Sequence, residues 1–362
     1  MLVPTIRAKK HVEQLAVYVA PLEGRRDKLR LDFNENTVGP SPRVLAAIRA
    51  LPPSAYATYP EYAGLEAAFA RYVEVDPAFV AAFNGVDAAI RAVFDAYGDE
   101  GAELITTCPT FGYYAPCASQ HGMVIKAIPY AEDLSFPLET MLRSLAKGPR
   151  LLFLCNPNNP TGTLLEPEAV LELARCVPET LVIVDELYAD FTGCTVLPQA
   201  LSLPNVVVLR SLSKSSGLAA LRIGFAVGHT EVLDRLTRVT GPYDINMFAV
   251  VAARAALDDK QYVTDYVAQV EQAKQWSIAR LRQLGVRFHA AGGNFVLVWP
   301  PGDVPSAVRQ LDAQGILVRS MSGKPLIDGS FRLTIGTRAQ MEEFFAVFER
   351  MVRASSARAA QP

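Results

Sequence analysis

Short apolar runs alternate with longer amphipathic stretches through the middle of the chain: AELITT (102–107), MVIKAI (123–128), RLLFLC (150–155), LVIVDE (181–186), NVVVLR (205–210) and RIGFAVG (222–228). Runs of this length, β-branched, bounded by turn residues and apolar at nearly every position, read as strands buried on both faces. DAAIRAVFDAYG and EPEAVLELARCV, lying between them, carry apolar residues at helical spacing and supply crossover helices. The alternation predicts an α/β layered domain built on a largely parallel sheet, over 45–245. From Asn246 the texture changes to long helical stretches, followed by NFVLVWP, AVRQLDAQGILVRS, SFRLTIG and a last helix MEEFFAVFERMVRA. This order predicts a smaller α+β domain over 246–353. Residues 1–44 have little pattern and are expected to form an arm and part of the small domain, or to dock on a neighbouring subunit. The tail 354–362 is expected to fray.

At 362 residues, half of them hydrophobic, the chain can bury a large core. Its net charge of -2 comes without any polybasic run, so neither nucleic acid nor an anionic membrane is an expected partner; small molecules are. Cys108, Cys117, Cys155, Cys176 and Cys194 are odd in number and contain no CxxC pair. Neither a disulfide framework nor a metal site is signalled, and a reducing cytoplasm is the expected compartment. No signal-like h-region and no apolar stretch of spanning length is present, so a soluble, unexported protein is expected.

In open α/β sheets the chemistry gathers at the carboxyl ends of the strands. Asn156-Pro157-Asn158-Asn159-Pro160-Thr161-Gly162 follows RLLFLC; Asp185 and Tyr188 end LVIVDE; Ser211, Ser213 and Lys214 follow NVVVLR. Taken singly, NPNNPTG is a tight turn, a strand-end Asp a helix cap and a lone lysine a surface group. Taken together they match what a pyridoxal phosphate ring requires. Lys214, among small residues, can lower its pKa and act as a Schiff-base amine. Asp185 suits the pyridinium nitrogen, Tyr188 and Asn159 the phenolic oxygen, Phe111 the ring face, and Ser211 with Arg222 the phosphate. A second anion cradle lies at Asn84-Gly85-Val86-Asp87-Ala88, where a helix begins directly after a glycine. Neither GxGxxG nor GxxxxGK[ST] is present, so NAD and nucleoside triphosphates are not indicated.

These residues resemble those of the fold-type-I pyridoxal-phosphate aminotransferases, and within them the histidinol-phosphate aminotransferase branch. LDFNENTVGPSP (31–42), Tyr59-Pro60, NGVDAAI, CPTFGYY, NPNNPTG, VDELYADF, SLSKSSGLAALRIG, GNFVLVW, ILVRS and FRLTIGT follow in that family's order over nearly the whole chain. The resemblance implies a seven-stranded, mostly parallel sheet in a large cofactor-binding domain, with Lys214, Asp185 and Tyr188 catalytic. It implies that Asp87, Ala88, Phe111, Asn159, Ser211, Ser213 and Arg222 contact pyridoxal 5'-phosphate, and that Tyr59 reaches the cofactor phosphate of the other subunit in a homodimer. Tyr18, Asn159, Arg319 and Arg332 would bind substrate, Arg332 and Arg319 through its anionic groups.

The chain departs from the pattern at Thr37-Val38, at Phe111 in place of a tyrosine, at Ala88 and at Asp244. None of these removes a cofactor group, but a changed pocket can redirect specificity. By resemblance the reaction is transamination between histidinol phosphate and 2-oxoglutarate, in histidine biosynthesis. An aromatic or basic amino donor, an oxidase or a decarboxylase of a phosphorylated amino acid would use the same lysine and aspartate. A cofactor-sensing domain without turnover would need an attached DNA-binding segment, for which the short arm leaves no room.

Overall fold

The computed structural model describes residues 6–359. Strands β1 (Leu29–Leu31), β2 (Val80–Phe83), β3 (Glu103–Cys108), β4 (Val124–Pro129), β5 (Leu151–Cys155), β6 (Leu181–Asp185), β7 (Val206–Ser211), β8 (Gly224–Gly228), β9 (Arg287–His289), β10 (Phe295–Trp299), β11 (Ile316–Ser320) and β12 (Phe331–Thr334) form two sheets. The larger has the order β2-β8-β7-β6-β5-β3-β4 and the smaller β1-β11-β12-β10-β9. β8 runs antiparallel to both its neighbours, and the other strands of the large sheet are parallel.

The near-continuous apolar runs are explained by burial on both faces. Leu152, Leu154, Val182, Val184, Val206 and Val208 enter one core, while Leu151, Phe153, Ile183, Val207 and Leu209, one position out of phase, enter the other. The second core is closed by helix Val86–Tyr97, whose Phe94 stacks on Phe153 with centroids 5.1 Å apart. A fully buried phenylalanine stabilises by about 2–3 kcal/mol. The same period of two places Asp185 on the face of Leu181 and Ile183, so this carboxylate points where an apolar side chain would otherwise lie.

All six apolar runs are strands, but the sheet's seventh, β2, has the sequence VAAF and is the least β-like in composition. Helix Met247–Leu257, which the sequence pattern assigns to the small domain, packs instead on the large sheet's core through Ala249, Ala252, Ala253 and Ala256. Small side chains let it lie close against helices Pro42–Arg49 and Ala63–Val73, and the change of body comes after it, at helix Lys260–Gln283. In the arm, β1 pairs parallel with β11 from Leu29↔Ile316 to Leu31↔Val318. The expected frayed tail is helical as far as Ala359, in the helix Arg338–Ala359, and 360–362 lie outside the described residues. Among the described residues no helix is long and apolar enough to cross a membrane, and no group of three metal-ligating side chains is present. All five cysteines are free thiols.

Candidate active site

Lys214 occupies the turn after β7, which is folded by its own polar groups. Ser213 donates its N–H to Ser211 Oγ at 3.1 Å, and Leu218 donates to the Leu212 carbonyl at 3.0 Å. From outside the turn, Asn36 Nδ2 donates to the Ser215 carbonyl at 2.9 Å, and Ser215 Oγ donates to Asp190. The half-buried Lys214 then donates to the Phe33 carbonyl at 2.9 Å. Burial, helped by the Arg332 charge, lowers its pKa to about 8 against the opposing pull of Glu35 and Asp87. An amine whose pKa lies near 8 rather than 10.5 keeps a far larger uncharged fraction near neutrality, and that form is a nucleophile and a base.

Asp185 is 1% exposed and has no Lys, Arg or His partner among the described residues. Its Oδ2 accepts from Tyr114 Oη at 2.6 Å and its Oδ1 from the Leu187 N–H at 3.3 Å. Burial pushes it up to about 7 in spite of these two donors. A buried carboxylate served only by neutral donors is a place made for a cation. Tyr114, which no sequence argument singled out, stands three positions after Phe111 in CPTFGYY, and its ring meets the edge of Phe111 at 5.5 Å. Its place in that motif was the available signal.

The NPNNPTG loop is tied to the Phe111 loop, since Thr110 Oγ1 donates to Asn158 Oδ1 at 2.8 Å and Asn158 Nδ2 to the Pro109 carbonyl at 3.0 Å. It is tied to the small body as well: the Gly292 N–H donates to the Gly162 carbonyl at 2.7 Å, and a Cβ on Gly162 would meet the Gly292 carbonyl oxygen at the same distance. Asn159 Oδ1 accepts from Arg332 Nη1. Tyr188 Oη accepts from Asn34 Nδ2 at 3.0 Å, and Asn34, whose φ of +54° is one an asparagine tolerates, also receives Thr334 Oγ1 on its own Oδ1. Asn34 is thus a second residue at the site that sequence reading quoted in a motif without assigning.

Arg332 is 8% exposed; its Nη2 donates to the Asp32 carbonyl at 2.7 Å, and its Nε is buried without a hydrogen-bond partner. Directly across the β11–β12 pair lies Arg319. Like charges facing each other on neighbouring strands destabilise a sheet, and Arg319 has no acidic partner among the described residues. Its guanidinium lies 5.6 Å from the Phe33 ring centroid.

At the other end of the site, Arg222 Nη2 meets Asp87 Oδ2 at 3.0 Å, both side chains more than 40% exposed, so the pair itself is worth little. The guanidinium lies across Gly85, where a Cβ would come within 2.7 Å of Nη2 and where φ is +76°. Gly85 therefore opens the start of helix Val86–Tyr97, which has no side-chain cap and includes Ala88 in its first turn. Ser211 and Ser213 are buried beside it at the end of β7.

Tyr18 lies over Gly112, its Cε2 3.3 Å from where a Cβ would be, with its ring 5.8 Å from that of Tyr113. Burial raises its pKa, and the fields of Arg319, Asp87 and Arg332 reach it. Within one chain Tyr59 is outside this group: it is 70% exposed and stacks on Tyr243 at 4.3 Å. The charges of Arg332, Asp87 and Arg222 all reach Lys214, so these residues share one neighbourhood, and they suit pyridoxal phosphate. The cationless Asp185 would suit its ring nitrogen, the Phe111 ring its face, and the uncapped helix start with Arg222 its phosphate.

A parallel-sheet domain with a nucleophilic lysine, a buried carboxylate and an anion cradle at the strand ends is the arrangement of a cofactor-dependent transferase. The family described as aminotransferase class I and II matches residues 26–348, and the chain belongs to it. It is 35% identical over 346 residues to histidinol-phosphate aminotransferase of Geotalea daltonii, covering 93% of this chain and 97% of that protein. To the enzyme of the same name from Roseiflexus castenholzii it is 36% identical, covering 91% and 94%. The structure of histidinol-phosphate aminotransferase from Sinorhizobium meliloti in complex with pyridoxal-5'-phosphate superposes with a TM-score of 0.88 at 26% identity, over 97% of this chain and 99% of that one.

Proposed function

We propose that this aminotransferase moves the amino group of histidinol phosphate to 2-oxoglutarate, using pyridoxal 5'-phosphate, as a step of histidine biosynthesis. When bound, the cofactor supplies an electron-withdrawing ring that takes up the charge left as the substrate's α-carbon loses its proton. Lys214 Nζ would take that proton as a base and then give it back as an acid. Asp185, oriented by Tyr114, keeps the ring nitrogen protonated. Tyr188 and Asn159 serve the phenolic oxygen, and Phe111 covers the ring. Ser211, Ser213, Arg222 and the N–H groups of Asp87 and Ala88 hold the phosphate.

The observation that carries the choice of substrate is the Arg319–Arg332 pair. Two facing guanidinia without an acidic side chain between them call for a doubly charged anion, which a phosphomonoester supplies and a simple amino acid side chain does not. Tyr18, over Gly112, closes the side-chain pocket.

The test is steady-state turnover with histidinol phosphate and with histidinol, 2-oxoglutarate being the acceptor, alongside arginine and phenylalanine as donors. Preference for the phosphorylated donor supports the reading, and preference for either amino acid sinks it. Arg332→Ala is expected to lower kcat/KM for histidinol phosphate by about 10²-fold, the worth of a buried charge-assisted contact, with cofactor affinity unchanged. Arg319→Ala is expected to lower it about tenfold and to leave histidinol unaffected. An unchanged KM in the Arg332 variant would place that side chain outside the pocket.

The reading extends to a homodimer with shared sites. Tyr56, Tyr59, Val38, Leu45 and Tyr243 are exposed apolar or aromatic residues, more than an isolated surface needs. Tyr59 would reach the partner's cofactor phosphate. The five free thiols suit a reducing cytoplasm.

A further inference from the structure

We propose that Arg25, in the arm before β1, is a positioning residue for the reaction: by clamping Asp32 and Glu35 it sets the backbone carbonyls that hold Lys214 and Arg332. The inference rests on the roles given to those two residues above. Arg25 uses its whole guanidinium. Nε and Nη2 donate to Asp32 Oδ2 and Oδ1 at 3.0 and 2.7 Å, and Nη1 and Nη2 donate to Glu35 Oε1 and Oε2 at 3.2 and 2.8 Å. Its charge also lies 4.0 Å from the centroid of the Phe33 ring, the ring that Arg319 approaches. With the Arg25 side chain 11% exposed and that of Asp32 6%, this is a desolvated fork rather than a surface pair.

The residues enclosed by the clamp offer three successive carbonyls to the site. Asp32 receives Arg332 at 2.7 Å, Phe33 receives Lys214 at 2.9 Å, and Asn34 receives Asn294 Nδ2 at 3.3 Å. The direction of each carbonyl follows from the backbone of 32–34, and that backbone is pinned from the other side by Arg25. Without Arg25, Asp32 has no other ion pair among the described residues, and Glu35 keeps only the one with Arg30 at 3.4 Å. Two neighbouring carboxylates would then repel in a part-buried place, and the segment would relax.

Glu35 is also one of the charges acting on the lysine. Lys214 faces Arg332 from β12, Glu35 from this segment, Asp87 from helix Val86–Tyr97 and Arg222 from the turn before β8. Burial would raise Glu35, but the hydrogen bond and charge of Arg25, then Arg30, bring it below the usual carboxylate range. Arg25 thus absorbs a negative charge that would otherwise favour the ammonium form of Lys214.

The experiment follows the pH dependence of Lys214 modification by an amine-selective reagent in cofactor-free protein, read by peptide mass. Parent, Arg25→Met, Glu35→Gln and the double variant are compared, each also assayed for kcat and KM as holoenzyme. Arg25→Met should move the midpoint up by about one pH unit and raise KM for the anionic donor about tenfold. Glu35→Gln should move the midpoint down, and the double variant should return it towards the parent, a coupling that general loosening does not produce. An unchanged midpoint together with an unchanged KM in Arg25→Met overturns the proposal, and if that variant does not fold, Arg25→Lys, which keeps the charge but loses the two-carboxylate fork, decides it by the KM for the anionic donor. The midpoint needs no donor, so a wrong substrate assignment shows separately, as failure of the parent to turn over histidinol phosphate.

Discussion

Lys214→Ala is expected to lose turnover by on the order of 10⁴-fold or more, because both the covalent and the proton-moving role reside on one nitrogen. The measurement is single-turnover conversion of the amino donor by cofactor-loaded protein, together with borohydride trapping and peptide mapping. In the parent the trapped label should fall on Lys214, and in the variant no chain lysine should carry it. Label on another lysine with turnover preserved would remove Lys214 from its role. The variant should fold: the turn is held by Ser211, Asn36 and Asp190 rather than by the amine. The sign of the pH effect is also fixed. The folded pKa of Lys214 lies near 8 and the ordinary value is 10.5, so between these the unfolded chain binds more protons and parent stability rises with pH. Lys214→Ala should remove that rise.

Asp185→Asn is expected to split activity from stability. With the cofactor bound, a neutral amide cannot keep the ring nitrogen protonated, and turnover should fall by about 10²–10⁴-fold, the range of a lost buried charge interaction. In the cofactor-free chain the effect reverses. Asp185 is raised to about 7, so from the ordinary value of 3.8 up to 7 the native state holds a proton that the unfolded state has lost. Its contribution to stability is therefore present at low pH and lost as pH rises through 7. An asparagine carries no charge to bury and can still accept from Tyr114. Cofactor-free Asp185→Asn should melt above the parent at pH 8, with the gap closing towards pH 4. Melting temperatures at the two pH values decide this, and a parent more stable than the variant at pH 8 would mean that the carboxylate has a cationic partner.

The parts of the molecule legible in the sequence are those whose pattern has one physical cause. β5, β6 and β7 are nearly continuous apolar runs because both faces are covered, and the chain at or just past their ends carries Asp185, Ser211 and Lys214, where any parallel sheet concentrates its polar groups. β2 was hidden because VAAF fits a helix as well as a strand, and only its pairing with β8 decides. Helix Met247–Leu257 was misassigned because its alanines reveal that it packs closely, not against which body. Tyr114 and Asn34 lay inside quoted motifs, but their partners Asp185 and Thr334 are 71 and 300 positions away. Arg25 carried no motif at all, and a guanidinium that serves two carboxylates looks in sequence like any other charge.

The bond between Asn34 and Thr334 has a consequence for how the molecule is made. Chains are synthesised from the N-terminus at about 5–20 residues per second, so roughly 15–60 seconds separate the emergence of these two partners from the ribosome. All seven strands of the large sheet have been made by Gly228, while helix Met247–Leu257, which packs on their core, is still to come. It lacks β11 and β12, so Leu29–Leu31 has no strand to pair with and the Asp32 carbonyl no arginine to receive. The arm must wait, solvated, through most of translation. The site is therefore completed last, and a polypeptide released before β11 and β12 lacks both Arg319 and Arg332.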